Sequence, residues 1–154
     1  MTDKTDYRTG NGSSRVPVET GEWAGWFTTV GDPFNDHAGP FYHRPAPDGL
    51  PVCAMRVEAR HLNAGGILHG GALMTFADHS LYVFAGSIGD TGAVTITLNG
   101  DFAAGAPEGA VVECRGEIVR VTGKMIFLRA LMTSAGEPIM AFSGVLKKQR
   151  QQAS

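Results

Sequence analysis

One stretch of the chain restricts its fold more than any other: Ile67 to Ala85 is almost continuously apolar, contains no proline and begins among glycines. This stretch is too long for a β-strand, so it predicts a helix. Its apolar side chains cover several sides of the helix rather than one stripe, and such a helix is normally buried on most sides. The remaining chain must therefore surround one central helix.

Segments with β-strand patterns supply that surrounding structure. Two precede the helix, a brief one within Gly39–Gly49 and a longer one at Val52–Ala59. Four follow it, at residues 93–103, 110–121, 124–133 and 138–147. These four are joined by turn residues at hairpin lengths, which predicts an antiparallel meander. We expect an α+β fold in which a long antiparallel sheet wraps around a central helix.

The 154 residues of the chain are enough for one domain. Residues 1–18 are polar and show no apolar period, so we expect a mobile N-terminal segment. Residues 19–148 form the predicted single domain, and residues 149–154 form a C-terminal tail.

A further short helix is predicted over Glu19–Val30. Apolar residues recur there at helix-like spacing, namely Trp23, Trp26, Phe27 and Val30. Asp32-Pro33 is expected to end this helix.

Charge and composition exclude several classes of partner. Thirteen Lys and Arg oppose fifteen Asp and Glu, and the one basic run is a short C-terminal tail, which makes nucleic acid an improbable partner. Neither a signal-peptide pattern nor an apolar stretch of about 20 residues is present, which favours a cytoplasmic protein without a membrane partner. Cys53 and Cys114 lie in predicted strands, far apart in the sequence, and are expected to be buried, unreactive thiols.

The stretch from His61 to His79 holds most of the residues that are able to support chemistry. Four glycines at its helix start, residues 65, 66, 70 and 71, permit close backbone approach. The first N–H groups of a helix lack internal acceptors and carry partial positive charge. This glycine-rich helix start, which we call the mouth, is suited to holding a developing oxyanion.

Asp78 lies in the middle of the predicted helix. Its neighbours at three- and four-residue spacing are mostly apolar, with Thr75 the polar exception. Burying an unpaired carboxylate is costly, and desolvation makes it a stronger base, so we expect Asp78 to be buried and catalytic. The alternative is a structural Asp that is bonded to Thr75 or to a neighbouring strand.

The spacing between the mouth and Asp78 predicts a second subunit. If the helix begins near His69, Asp78 lies nine residues later, which is roughly 13 Å along the axis and nearly opposite in azimuth. A single bond of a substrate cannot contact both. A site that uses both would take the mouth from one chain and Asp78 from another, so the active unit would be at least a dimer.

The motif formed by these residues resembles a known signature. Asn63, the His69-Gly70-Gly71 triplet and Asp78 are spaced as in hotdog-fold acyl-CoA thioesterases of the phenylacetate-degradation type and the related thioesterase superfamily. The likeness extends from about Arg60 to Lys148. It implies a hotdog fold and a homo-oligomer, dimeric or tetrameric, that hydrolyses an acyl- or aryl-CoA thioester to the acid and CoA without a cofactor.

The resemblance also implies roles for five residues. Asp78 becomes the general base, or else a nucleophile that forms a mixed anhydride, and the Gly70 amide binds the thioester carbonyl oxygen. Asn63 and His69 help to build the mouth. Thr95 matches the position of a hydroxyl that holds the attacking water. The alternative is that Thr95 simply belongs to the polar face of its strand, where threonine is a common residue.

Contacts to the CoA moiety follow from the resemblance with less detail. They fall on Phe102, Arg120, Thr122, Gly123 and Lys124. Arg120 and Lys124 are suited to phosphates, and the alternative is that they are solvated hairpin charges. A P-loop and a dinucleotide glycine fingerprint are both missing from the sequence, so a nucleotide would bind at the surface.

Other functions remain as alternatives. His61 and His79 have no partner at metal-ligand spacing, and the chain contains no Gly-x-Ser-x-Gly motif, which disfavours a metal site and a serine hydrolase. A hotdog hydratase or dehydratase that acts on CoA esters is the first rival. The second is a non-catalytic acyl-CoA-binding module, since a fold does not determine a function.

Overall fold

The computed structural model describes residues 13–90 and 92–149. Within them, eight strands form one sheet in the order β1-β2-β3-β4-β6-β7-β8-β5, with antiparallel neighbours throughout. The strands are β1 (Ser14–Pro17), β2 (Phe27–Val30), β3 (Tyr42–Arg44), β4 (Val52–Arg56), β5 (Val94–Phe102), β6 (Val111–Val121), β7 (Met125–Ser134) and β8 (Glu137–Lys147). The helices are α1 (Pro33–Ala38), a single 3-10 turn (Ala59–His61) and α2 (Gly70–Ser87).

The predicted architecture is confirmed in its main parts. The long apolar stretch forms α2, and the four segments after it form β5 to β8. The two segments before it contain β3 and β4. One long antiparallel sheet therefore packs against one main helix, as the apolar pattern indicated.

Glycines in the sheet allow α2 to approach it closely. A Cβ atom built on Gly116 of β6 would lie 2.7 Å from the ring of Phe84, which is too close for two carbon atoms. Gly144 of β8 is equally restricted by Leu81. Both of these helix side chains are fully buried, so the glycines fix the depth at which the helix lies.

The expectation that α2 is buried on most sides is confirmed except along one narrow strip. Its buried side chains are Leu73, Phe76, Ala77, His79, Ser80, Leu81, Phe84 and Ala85. Gly71 and Asp78, which are two turns apart, are exposed, and Thr75 between them is only partly buried. This strip, which contains Gly71, Thr75 and Asp78, is the open side of α2.

The helix predicted over Glu19–Val30 is also wrong. Gly21 and Gly25 have φ angles of 83° and 87°, which break a helix, and the chain turns there before entering β2. The apolar residues still pack on the body of the protein, because Trp23 stacks on Tyr42 with ring centroids 4.3 Å apart. Spacing alone did not distinguish this hairpin from a helix.

The expected mobile segment 1–18 overlaps the sheet. Ser14–Pro17 forms β1, which pairs with β2. The sequence did not indicate this strand, because four residues are too few to show a clear alternation. Residues 1–12, and Arg150 to Ser154 of the expected tail, lie outside the described residues.

Asp32-Pro33 begins a helix instead of ending one. The Asp32 carboxylate accepts the N–H of Asn35 at 3.1 Å, and Pro33 occupies the first helical position, which suits its fixed φ. The resulting helix, α1, has six residues. In the described part of the chain, neither α1 nor α2 has the combined length and apolarity that a bilayer-spanning helix needs.

The two cysteines are opposite each other on β4 and β6, and both are fully buried. Burial raises the pKa of the Cys53 thiol well above its usual value and raises the pKa of Cys114 to about 12. A thiol of this kind rarely forms the reactive thiolate. The prediction of buried, unreactive cysteines is confirmed.

Two histidines are buried near α1. Burial, with smaller contributions from His79 and Arg15, lowers the pKa of His43 to about 3. Burial also lowers the pKa of His79 to about 4, although Asp32 acts in the opposite direction. The folded protein therefore keeps both rings neutral at pH values where an unfolded histidine takes up a proton.

The free energy of unfolding should therefore fall as the pH drops. Above about pH 6.5 both states hold these rings neutral, whereas between about pH 6.5 and 4 only the unfolded state binds the extra protons. Each ring then adds a slope of up to about 1.4 kcal/mol per pH unit. Urea denaturation from pH 5 to pH 8 measures this slope, and His43→Phe should reduce it. The exposed His37→Gln is the control, and equal slopes in His43→Phe and the wild type would contradict the expectation.

Candidate active site

Asn63 shapes the loop that leads to the mouth. Its side-chain Oδ1 accepts the N–H groups of Gly65 at 2.9 Å and Ile67 at 3.3 Å. Its backbone N–H donates to the Ile67 carbonyl at 2.8 Å, and Gly66 adopts a φ of 78°. The side chain and backbone of Asn63 thus hold the turn that leads to α2.

The other side of the loop is fixed to the body of the protein. The N–H of Leu68 donates to the Ala106 carbonyl at 2.8 Å, and the N–H of His69 donates to the His61 carbonyl at 2.8 Å. The buried His61 ring accepts the N–H of Glu58 at Nδ1, and its Nε2 is 2.6 Å from the Ala38 carbonyl. His61 therefore carries its proton on Nε2 and has a structural role.

Three of the first four backbone N–H groups of α2 have a hydrogen-bond acceptor. Gly71 donates to the His69 ring at Nδ1 (2.8 Å), while Ala72 and Leu73 donate to the His69 carbonyl at 2.9 and 3.1 Å. Gly70 has no acceptor for its N–H within the residues that the structure describes. His69 thus caps the helix and leaves one amide, that of Gly70, open for a ligand.

Phe102 lies directly over Gly70. A Cβ atom on Gly70 would be 3.3 Å from the tip of the Phe102 ring, and that ring is 54% exposed. The absence of a side chain on Gly70 therefore leaves room between the open amide and an aromatic surface. Of the predicted site residues, Asn63, His69, Gly70 and Phe102 are brought together at the mouth.

Asp78 is exposed in the single chain, so its own subunit does not bury the carboxylate. The reason is that it lies on the open side of α2. Gly71 lies on the same side, seven residues earlier, which is about 10 Å along the helix axis. The alternative bond to Thr75 is not formed, because that hydroxyl donates to the Gly71 carbonyl at 2.9 Å.

The remaining predicted residues lie at the other end of the sheet. Thr95 is at the start of β5, and Phe102 at its end is seven residues away, roughly 23 Å along the strand. The turn that includes Thr122 and Lys124 joins β6 to β7 near the C-terminal end of β8, where Lys148 donates to the Lys124 carbonyl at 2.8 Å. Within one chain the candidate site is therefore split into two groups.

The turn between β6 and β7 is internally bonded. The Thr122 hydroxyl accepts the N–H groups of Met125 at 2.9 Å and Lys124 at 3.3 Å. Gly123, Lys124 and Arg120 are exposed. Thr122 thus sets the shape of the turn, while the two basic side chains are accessible to a ligand.

A pocket of about 400 Å³ opens beside the mouth, and sequence reasoning missed one of its walls. Its lining comes from α1, the 3-10 turn and the start of α2: Phe34, His37, Ala38, Arg60, His61, Leu62, His69, Gly71, Ala72 and Thr75. The missed wall is α1. The Asp-Pro pair that caps it is also a common helix-start signal, and it was interpreted as a stop.

The candidate site offers no evident place for a metal ion. Among the described residues, no group of three or more His, Cys, Asp or Glu side chains is arranged to bind one. The groups available for chemistry are the open amide, the carboxylate of Asp78 and a few hydroxyls.

Known proteins share both sequence and fold with this chain. Residues 65–141 match the family model of the thioesterase superfamily. A protein of Pseudomonas aeruginosa that is described as an esterase is 34% identical over 115 residues, which span 73% of this chain and 86% of that protein. The match to the family model begins inside the mouth loop and ends in β8.

Solved structures agree with this match. A variant of the phenylacetic acid degradation protein of Thermus thermophilus is 28% identical, with a TM-score of 0.68 over 77% of this chain and 100% of that one. A hypothetical thioesterase protein of Streptococcus pneumoniae, solved with coenzyme A, is 21% identical, with a TM-score of 0.67 over 73% of this chain and 91% of that one. The predicted hotdog fold is confirmed by these likenesses.

Replacing Asn63 should test how the mouth loop is held. Asn63→Ala removes the acceptor of two backbone N–H groups and should lower the free energy of unfolding by about 1–2 kcal/mol. Asn63→Asp keeps the acceptor oxygen and should remain close to the wild type. Urea denaturation at pH 7.5 measures both variants, and equal stability of the Ala and Asp variants would show that the loop does not depend on this side chain.

Proposed function

Because the chain belongs to the thioesterase superfamily and is a thioester hydrolase, we propose that it hydrolyses an acyl- or aryl-CoA thioester to the free acid and CoA. The observation that carries this proposal is the open Gly70 amide at the start of α2. Solved relatives with bound coenzyme A or acetyl CoA support CoA as the carrier. The surface position of Arg120 and Lys124 agrees with a nucleotide bound outside the core.

The mouth is suited to stabilising the transition state of thioester hydrolysis. Attack on the carbonyl places negative charge on its oxygen, and the Gly70 N–H together with the partial positive charge of the α2 start would stabilise that charge. The neighbouring Gly71 N–H already donates to the His69 ring, so the Gly70 N–H is the donor left for the thioester carbonyl oxygen. Phe102 would cover the bound thioester from the other side.

Asp78 of a second copy would complete the site. It is on the open side of α2, and about 10 Å separates it from Gly71 of its own chain. Among the described strands, β5 has no neighbour on one side, and such edges readily pair with another strand. Antiparallel pairing of two β5 edges would bring the start of one strand, with Thr95, to the end of the other, with Phe102.

Two routes are available to the Asp78 carboxylate. As a general base it would take a proton from a water that Thr95 holds, and the resulting hydroxide would attack the carbonyl carbon. As a nucleophile it would displace the CoA thiolate, and water would then open the mixed anhydride. In both routes the C–S bond breaks, the thiolate takes a proton, and the free acid is released.

The position of His79 argues against a His79–Asp78 pair of the kind that a hydratase reaction would use. A hydratase of this fold would need a histidine beside the carboxylate. The His79 ring is buried, with Nδ1 3.4 Å from the Asn35 amide nitrogen, while Asp78 is exposed. Adjacent helix residues point about 100° apart, so His79 and Asp78 do not work together within one chain.

Gly70→Pro should remove the proposed oxyanion donor without breaking α2. Proline is accepted at the first helical position, and the preceding residue, His69, already has the extended conformation that proline requires (φ −64°, ψ 135°). We expect kcat to fall roughly 100- to 1,000-fold. Gly70→Ala is the matched control, because it adds a Cβ atom toward Phe102 but keeps the N–H. Similar losses in both variants would point to steric blockage and contradict the proposed role of the amide.

Asp78→Asn should lower turnover by roughly 100- to 10,000-fold while the protein remains folded, because it removes the proposed base or nucleophile. Co-expression with Gly70→Pro then tests whether the site is shared. In a mixed dimer, one site combines an intact mouth from one chain with an intact Asp78 from the other. Random mixing should restore about a quarter of the wild-type activity.

CoA release, followed with a thiol reagent, measures this restoration. The two variants mixed after separate folding, without subunit exchange, serve as the control and should remain inactive. A co-expressed sample that is also inactive would mean that the mouth and Asp78 act within the same chain. Binding of acyl-CoA by the wild type without CoA release would support the non-catalytic alternative.

A further inference from the structure

α1 is held in place in an unusual way for a helix. None of its side chains is fully buried and only Ala38 packs against the core, so core packing contributes little to its position. Instead, the Arg60 guanidinium donates to the His37 carbonyl, and His61 Nε2 lies 2.6 Å from the Ala38 carbonyl. The Asn35 amide nitrogen lies 3.4 Å from Nδ1 of His79. Three polar contacts thus fix an otherwise exposed helix.

These contacts come from the elements that build the mouth. His61 also accepts the His69 N–H through its carbonyl oxygen, so one residue connects α1 to the start of α2. His79 follows Asp78 on the same helix. α1 is therefore connected to the proposed site through His61 and His79.

The pocket of about 400 Å³ lies between α1 and this mouth. Phe34 of α1 lines it, and its side chain is 64% exposed. No other exposed large hydrophobic residue of the described chain is as accessible. An aromatic side chain that lines a pocket and has few partners of its own is available to contact a ligand.

We infer that α1 forms the wall of the acyl-group pocket and that Phe34 is the residue that determines which acyl groups fit. This inference rests on the proposed thioesterase function. The thioester carbonyl would bind at Gly70, and the acyl group would extend past Gly71 and Thr75 toward Phe34. The ring of Phe34 then limits the length of the group that the pocket holds.

The lining also indicates the charge of the acyl group. Arg60 is the one Lys or Arg among the lining residues, and its Nε donates to the Glu58 carboxylate at 2.8 Å. The same guanidinium also donates to the His37 carbonyl, so part of its hydrogen-bonding capacity is used within the protein. The pocket therefore suits a compact, uncharged acyl group rather than a dicarboxylic one.

A series of CoA esters tests this inference. We would measure kcat/KM for the hexanoyl, benzoyl, dodecanoyl and glutaryl esters with the wild type, Phe34→Ala and Phe34→Trp. Phe34→Ala should raise the ratio of dodecanoyl to benzoyl activity by roughly tenfold or more, since pockets discriminate single methylenes by about 10- to 200-fold. Phe34→Trp should lower that ratio. Inhibition by free CoA should not change, because the proposed CoA contacts, at Phe102 and at the turn between β6 and β7, lie outside α1.

The controls separate this inference from the proposed function. Phe127→Leu changes a partly exposed phenylalanine of β7, away from the pocket, and should keep the wild-type ratio. Phe34 variants that keep the wild-type ratio, or that scale all esters equally, would overturn the inference and leave the thioesterase function intact. Preference for the glutaryl ester would overturn the uncharged pocket. A wild type that releases CoA from none of the esters would overturn both proposals.

Discussion

The proposed chemistry depends on how the first turn of α2 satisfies its backbone N–H groups. A helix start leaves four such groups without acceptors, and His69 accepts three of them, one with its ring and two with its carbonyl. The Gly70 amide is what remains. The turn held by Asn63 and the position of α2 in the sheet serve to hold this amide at a defined place, with space in front of it.

Much of the fold could be predicted because its signals are local. The apolar stretch of α2 and the turn residues between β5 and β8 each specify their own element, and the structure agrees with them. The segment before β2 was mispredicted because its apolar spacing fits a helix and a hairpin equally well. Two glycines with positive φ, Gly21 and Gly25, decide in favour of the hairpin. Glycine adopts either sign of φ, so these angles became clear only once β1 was seen to pair with β2.

The candidate site was harder to predict, because its residues come together only through tertiary or quaternary contacts. Asn63, His69 and Gly70 were recognised as a motif, and they do meet at the mouth. Asp78 looked buried in the sequence because its helix neighbours are apolar, yet the sheet of one chain does not reach that side of α2. The same open side, together with an unpaired β5 edge, is what a second copy would cover. Apolar neighbours in the sequence therefore do not show whether a side chain is buried by its own chain or by a second copy.

The division of labour between α1 and α2 has a physical basis. The reacting groups need a rigid support, and α2 has one because Leu81 and Phe84 pack against glycines of the sheet. The surface that selects the acyl group must vary without disturbing that support. α1 meets this requirement, since only Ala38 among its side chains packs against the core, and its position otherwise depends on its backbone carbonyls and Asn35. Its outward residues, Phe34 among them, are therefore free to change while the mouth keeps its geometry.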